Sequence, residues 1–155
     1  MLEIKTDKIL KLNGYLMREL RNLPQIEVDK ATYMMESFIK TNKIIILGPL
    51  ITVTYDSHID EKEGLLVNID LIMQVKSIPS ISEPYQYIPS GLKLSNCIYV
   101  RFEGNIQELS YGYTKLNLYI WENKLIKAGP IYTVYANMEN PENVTVDIFI
   151  PVEET

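Results

Sequence analysis

In the second half of the chain, Ile98, Val100 and Phe102 alternate with Tyr99, Arg101 and Glu103, the period of a half-buried strand. Gly104 ends it, and Asn105 with Glu108 three residues on is an N-cap signal. Ile106, Leu109, Tyr113, Leu116 and Ile120 then recur at helical spacing, which predicts a helix of about four turns. Gly112 inside this stretch costs about 1 kcal/mol relative to alanine, so it marks close packing or the approach of a ligand. Asn123 and Lys124 read as the C-terminal cap. After Gly129-Pro130 comes a β-rich run, Ile131 to Tyr135, then a turn from Asn137 to Asn143 and a final strand, Val144 to Val152. The first half repeats this order. A weaker opening strand near Tyr15 to Arg21 precedes a helix with the stripe Val28, Ala31, Met35, Phe38 and Ile39. Strands at Leu50 to Tyr55 and Leu66 to Val75 follow, joined by a longer turn, Asp56 to Gly64.

The two halves align directly. Phe38 to Thr54 matches Tyr119 to Tyr135 without a gap, and eight of the seventeen pairs are identical, including Asn42/Asn123, Lys43/Lys124, Gly48/Gly129 and Pro49/Pro130. A second block, Val67 to Val75, matches Val144 to Val152 with Asp70 opposite Asp147. Two blocks in the same order, separated by loops of different length, point to duplication of a strand-helix-strand-strand unit. The predicted fold is therefore α+β: one domain over residues 1–155, with two helices on an antiparallel sheet built from two pseudo-twofold-related repeats, about 15–76 and 96–152. The segment 77–95, with Pro79, Pro84 and Pro89 in its first part, reads as a linker. A thin half-unit buries little on its own, so pairing of the halves around one core is expected.

Composition narrows the chemistry. A chain of 155 residues that is 46% hydrophobic and 23% charged folds without staples. Fifteen basic against twenty acidic residues give a net charge of −5 with no basic stripe, which speaks against direct contact with nucleic acid. No apolar run approaches the ~18 residues needed to span a bilayer, and the N-terminus lacks a signal-peptide pattern, so a cytoplasmic location away from the membrane is expected. A single cysteine, Cys97, and a single histidine, His58, leave no disulfide, no zinc cluster and no cysteine-histidine nucleophile pair. The chain carries no phosphate loop, nucleophile elbow or zincin motif, and neither a cofactor nor a metal is expected.

The segments Tyr99-Val-Arg-Phe-Glu-Gly104, Tyr119-Ile-Trp-Glu-Asn123, Gly129-Pro-Ile-Tyr-Thr-Val-Tyr135 and Val146-Asp-Ile-Phe-Ile-Pro-Val152 together resemble the GyrI-like small-molecule-binding domain. That domain also forms the effector-binding half of AraC-type and MerR-type bacterial transcription regulators. The resemblance covers roughly Tyr15 to Val152 and implies a twofold repeat with a ligand cleft where the repeats meet. The sequence departs from the family pattern at Thr133, where an acidic residue is frequent, and at Asp147, one methylene shorter than the frequent glutamate. With about fourteen residues before Tyr15, too few for a helix-turn-helix, the expectation is a stand-alone form.

A carboxylate in an apolar strand needs a reason, because burial of an unpaired charge is costly. If Val144, Val146, Ile148 and Ile150 face the helix, Thr145, Asp147 and Phe149 face the other side of the sheet, where the resemblance implies the cleft. The alternative is an exposed Asp147, or one paired with Arg101 or a lysine. Among eleven tyrosines, Tyr99, Tyr111, Tyr132 and Tyr135, with Trp121, fall in the matched segments and are the candidate ligand-binding rings beside Asp147. The expected function is binding of a small organic ligand, cationic or aromatic, by a sensor or sequestering protein. Two alternatives remain. One is a modulator that docks a protein partner such as a topoisomerase. The other is a hydrolase of electrophilic natural products, using Asp147 with Tyr99, Tyr111 or Tyr135, which the resemblance implies for some family members.

Overall fold

A computed structural model of the chain describes residues 2–78 and 80–154; of the linker prolines, Pro79 lies outside the described residues. Among the described residues, eight strands and two α-helices follow one another as β1 (Lys5–Leu12), β2 (Tyr15–Leu23), α1 (Gln25–Thr41), β3 (Ile46–Asp60), β4 (Gly64–Val75), β5 (Tyr85–Ile88), β6 (Leu92–Gly104), α2 (Ser110–Glu122), β7 (Ile131–Asn137) and β8 (Val144–Pro151). The fold class is α+β with antiparallel pairing, as the periodicity predicts. The chain divides into two units, Leu12–Gly91 and a discontinuous one made of Met1–Lys11 with Leu92–Thr155.

In the first unit the strand order is β3-β4-β2-β5, and α1 lies on one face of the sheet. Alternation along β2 and β4 sends Leu16, Leu20, Val67, Ile69, Leu71, Met73 and Val75 toward the buried stripe Val28, Ala31, Met35 and Ile39 of α1. In the second unit the order is β1-β6-β8-β7, and α2 covers Ile98, Val100, Phe102, Val144, Val146, Ile148 and Ile150. Among the described residues the buried apolar side chains group into two clusters, one under each helix. Gly112 marks close packing: a Cβ there would stand 3.0 Å from Ile148 Cδ1.

Four of the eight identical pairs of the repeat have local explanations. Both helices end in a Schellman turn: Ile44 N–H donates to the Ile39 carbonyl at 3.0 Å and Leu125 N–H to the Ile120 carbonyl at 2.9 Å. The left-handed position is Lys43 (φ 53°) in one copy and Lys124 (φ 54°) in the other. Asn42 and Asn123 donate from their side chains to the carbonyls of Phe38 and Tyr119 at 2.9 and 3.0 Å. Gly48 and Gly129 pass directly beside Gln74 and Pro151, so that an added Cβ would meet these side chains at 2.9 and 3.1 Å.

Three elements differ from the sequence reading. The expected turn Asp56 to Gly64 is mostly strand, since β3 continues to Asp60 and only Glu61, Lys62 and Glu63 turn, with Asp60 Oδ2 accepting from Lys62 N–H and Glu63 N–H at 3.0 Å. The expected linker 77–95 contains β5, which pairs with β2, and the opening of β6. Residues 5–12, unassigned in the repeat, form β1 beside β6.

Candidate functional site

The face of the β6-β8-β7 sheet turned away from α2 carries the chemistry of the second unit. Arg101 lies directly across from Asp147, Tyr99 across from Phe149, and Phe149 across from Tyr132. Tyr99 Oη donates to Asp147 Oδ1 at 2.6 Å, and Arg101 embraces the same carboxylate, Nε to Oδ1 at 2.8 Å and Nη2 to Oδ2 at 3.0 Å. The Tyr99 and Phe149 rings lean together with centroids 4.8 Å apart, and the Lys8 ammonium of β1 stands 5.6 Å from the Tyr99 ring centre. Asp147 is well covered, its side chain 13% exposed, whereas that of Arg101 is 52% exposed.

Electrostatics fix the protonation states. Burial alone would raise the Asp147 pKa, but the hydrogen bonds from Arg101 and Tyr99 and the Arg101 charge outweigh it and hold the carboxyl below its usual range. Burial, reinforced by the bond to Asp147, pushes the Tyr99 hydroxyl up to about 12. At neutral pH the pair is a carboxylate accepting from a phenol.

The first unit holds a second acid-centred cluster on the face of its sheet away from α1. Tyr55 Oη donates to Asp70 Oδ2 at 2.8 Å, and Arg21 Nη1 lies 2.8 Å from Asp70 Oδ1, as a charge pair off the line that a hydrogen bond needs. Arg21 also caps the Tyr55 ring at 4.8 Å. Tyr15 shares this face, and its hydroxyl is raised first by burial and then by the Asp70 charge. The acids are repeat mates, but their partners are not. The residue directly across from Asp147 is Arg101, while the residue across from Asp70 is Glu19, and Arg21 reaches Asp70 from two positions beyond, where the β2–β4 register shifts.

Of the six residues singled out from the sequence, Asp147, Tyr99 and Tyr132 lie on one sheet face. The other three do not join them. Tyr135 packs with the α2-side cluster, where Tyr113 Oη and Thr133 Oγ1 meet at 2.5 Å and burial drives the Tyr113 hydroxyl well above its usual range. Tyr111 and Trp121 stand on α2 itself, 62% and 77% exposed. Arg21 and Tyr55 escape a sequence reading because no spacing rule ties them to Asp70. Among the described residues no group of three or more histidine, cysteine or acidic side chains is placed to hold a metal, and no helix is long and apolar enough to cross a membrane.

The sequence matches no protein-family model and no curated protein. Solved structures do match it in fold. The EcmrR chain of an EcmrR–DNA complex superposes with a TM-score of 0.76 at 13% identity over 99% of this chain, which spans 58% of the EcmrR chain. The EcmrR C-terminal domain alone gives a TM-score of 0.70 at 13% identity, covering 100% of this chain and 98% of that domain. A structure described as a hydrolase from Listeria innocua gives 0.59 at 12% identity, covering 98% of this chain and 91% of that one. The duplicated strand-helix-strand-strand units and these superpositions over the whole of this chain give it the fold of the EcmrR C-terminal domain.

Proposed function

We propose that the protein binds a small lipophilic cation on the ring-bearing sheet face of β6, β8 and β7, as a sensor or sequestering protein. The observation that carries this reading is the Asp147 carboxylate, kept ionised beside the rings of Tyr99, Phe149 and Tyr132, with a counter-ion that is half in solvent. Arg101 is then an internal competitor. An incoming cation with an apolar body takes over the carboxylate, Arg101 swings out to water where its solvation is recovered, and the rings supply area and quadrupole attraction. The fold shared with the EcmrR C-terminal domain, together with the sequence resemblance to a small-molecule-binding domain, supports a ligand-binding role for this chain.

The test is calorimetry and thermal shift with an aromatic phosphonium cation and a neutral aromatic of equal size, on wild type, Asp147→Asn and Arg101→Met. At a hundredfold excess over Kd the cation stabilises wild type by about 2.7 kcal/mol, or ~5 to 10 °C. Asp147→Asn abolishes the preference for the cation and Arg101→Met strengthens it. Equal response to both ligands in all three proteins refutes the carboxylate's role.

Hydrolysis is the second reading, favoured by the 2.6 Å Tyr99–Asp147 contact and by the fold match to the Listeria innocua hydrolase. The protonation states oppose it. An acid catalyst needs a carboxyl with a raised pKa, and Asp147 has a lowered one, while a phenol near 12 is a poor base. Turnover of a strained electrophile that is lost in Tyr99→Phe would reinstate it.

A further inference from the structure

The first unit contains a groove that the acid-centred clusters do not use. It lies between α1 and the entrance to β5, is open to solvent along one side, and offers about 420 Å³, in the size range of small-molecule sites. Tyr33, Met34, Ser37 and Phe38 form one wall from successive turns of α1, and Pro84 and Tyr85 form the other. Phe38 and Tyr85 stack with centroids 4.2 Å apart, which gives the groove a flat aromatic border.

Arg18 is out of place in this setting. It sits on the α1-facing side of β2 between Leu16 and Leu20, a row otherwise apolar and buried. Its guanidinium carbon is 5.8 Å from the Tyr85 ring centre, and its Nη1 atom is buried with no hydrogen-bond partner among the described residues. Leaving a buried N–H of a charged group unmatched is costly, so this atom calls for a hydrogen-bond acceptor from outside. None of the side chains lining the groove is acidic. The cation therefore faces an apolar, ring-bordered space without an internal counter-ion along its walls.

We infer that this groove binds a small aromatic monocarboxylate, with the carboxylate on Arg18 and the ring body lying along Phe38 and Tyr85. A guanidinium fork suits a planar carboxylate. One negative charge is the limit: among the described residues only Arg18 brings a positive charge to the groove, and the carbonyl end of α1 at Thr41 and Asn42 borders it and disfavours a second. The chain's net charge of −5 offers no general attraction for anions, so any preference for the carboxylate traces to Arg18.

The experiment uses the full chain, 2-naphthoate as probe and 2-naphthamide as its neutral control, with binding read from amide chemical shifts. Naphthoate is expected to perturb residues 33–38 and Tyr85 and to bind at least tenfold tighter than the amide. Arg18→Met, which keeps the buried stem, removes that tenfold preference, and Ser37→Trp, at an exposed position on the groove wall, blocks both probes without touching Arg18. Asp147→Asn leaves naphthoate binding unchanged, which separates this site from the cation site. No binding to wild type at millimolar naphthoate, equal affinity for the amide, or a Ser37→Trp protein that binds normally would each overturn the inference. Should Arg18→Met fail to fold, the naphthoate–naphthamide ratio and Ser37→Trp decide alone.

Discussion

Asp147 shows how one side chain can be both a structural and a chemical feature. Its pKa is depressed, so the native state gains stability above the unfolded value of ~4 and loses it as pH falls through the lower folded value. Tyr99→Phe removes the 2.6 Å bond and leaves Arg101 as the remaining partner. We expect the Asp147 pKa to rise, the acid-linked loss of stability to shrink and to be complete at higher pH, and stability at neutral pH to fall by about 1 to 2 kcal/mol, all measurable by carboxyl-carbon NMR titration and urea unfolding. An unchanged Asp147 titration would mean that the tyrosine contributes nothing to holding the charge. Tyr99 works in the opposite sense: with its hydroxyl raised to about 12, its contribution is complete below the ordinary tyrosine pKa near 10 and is lost as pH climbs toward 12. The position of Asp147 on the face away from α2 is legible in sequence from the alternation of Val144, Val146, Ile148 and Ile150. The Asp70 cluster is legible only in its acid, because Arg21 and Tyr55 arrive through register shifts in β2 and β3 that no repeat offset encodes.

At the scale of the element, the repeat identities turn out to be about how helices stop and how strands cross. Both Schellman turns place a lysine in the left-handed conformation, where an L side chain is strained and glycine is not. Lys43→Gly and Lys124→Gly are each expected to stabilise the protein by about 0.5 to 1 kcal/mol, raising Tm by ~1 to 4 °C, and to add in the double variant. A loss of stability would mean that these lysines make contacts worth more than the strain. Gly112 predicts the reverse. Valine there must displace Ile148 Cδ1 from a closely packed contact and should cost about 1 to 3 kcal/mol in urea titrations. The elements that the sequence pattern misses share a physical cause. The outer part of β3, from Tyr55 to Ile59, is exposed on both faces, so no apolar-polar alternation marks it as strand. β5 is four residues bracketed by Pro84 and Pro89, a composition that reads as linker although prolines are compatible with the ends of an edge strand.

For the whole molecule, sequence halves and structural units do not coincide. The repeat suggests halves that begin near Tyr15 and Asn96, yet the unit built on the second repeat also recruits residues 1–11. β1 lies beside β6, Leu10 is buried, Leu2 and Ile4 pack against the cluster under α2, and the Lys115 ammonium donates to the Leu2 carbonyl. With two apolar clusters, each attached to its own helix, the energetic consequence of losing this segment should be local. Removing residues 1–11 strips a strand and apolar side chains worth about 1.5 to 3 kcal/mol for each one fully buried. Native-state hydrogen exchange should then show lower protection of the β6, β8 and α2 amides, with those of β2, β4 and α1 holding near their original values. A fall of equal size in both sets would show that the two clusters open as one cooperative body, and no fall in either would show that β1 is an appendage. The same truncation removes Lys8 from the Tyr99 ring, so a local loss also predicts altered ligand binding on that sheet face with naphthoate binding in the α1–β5 groove intact.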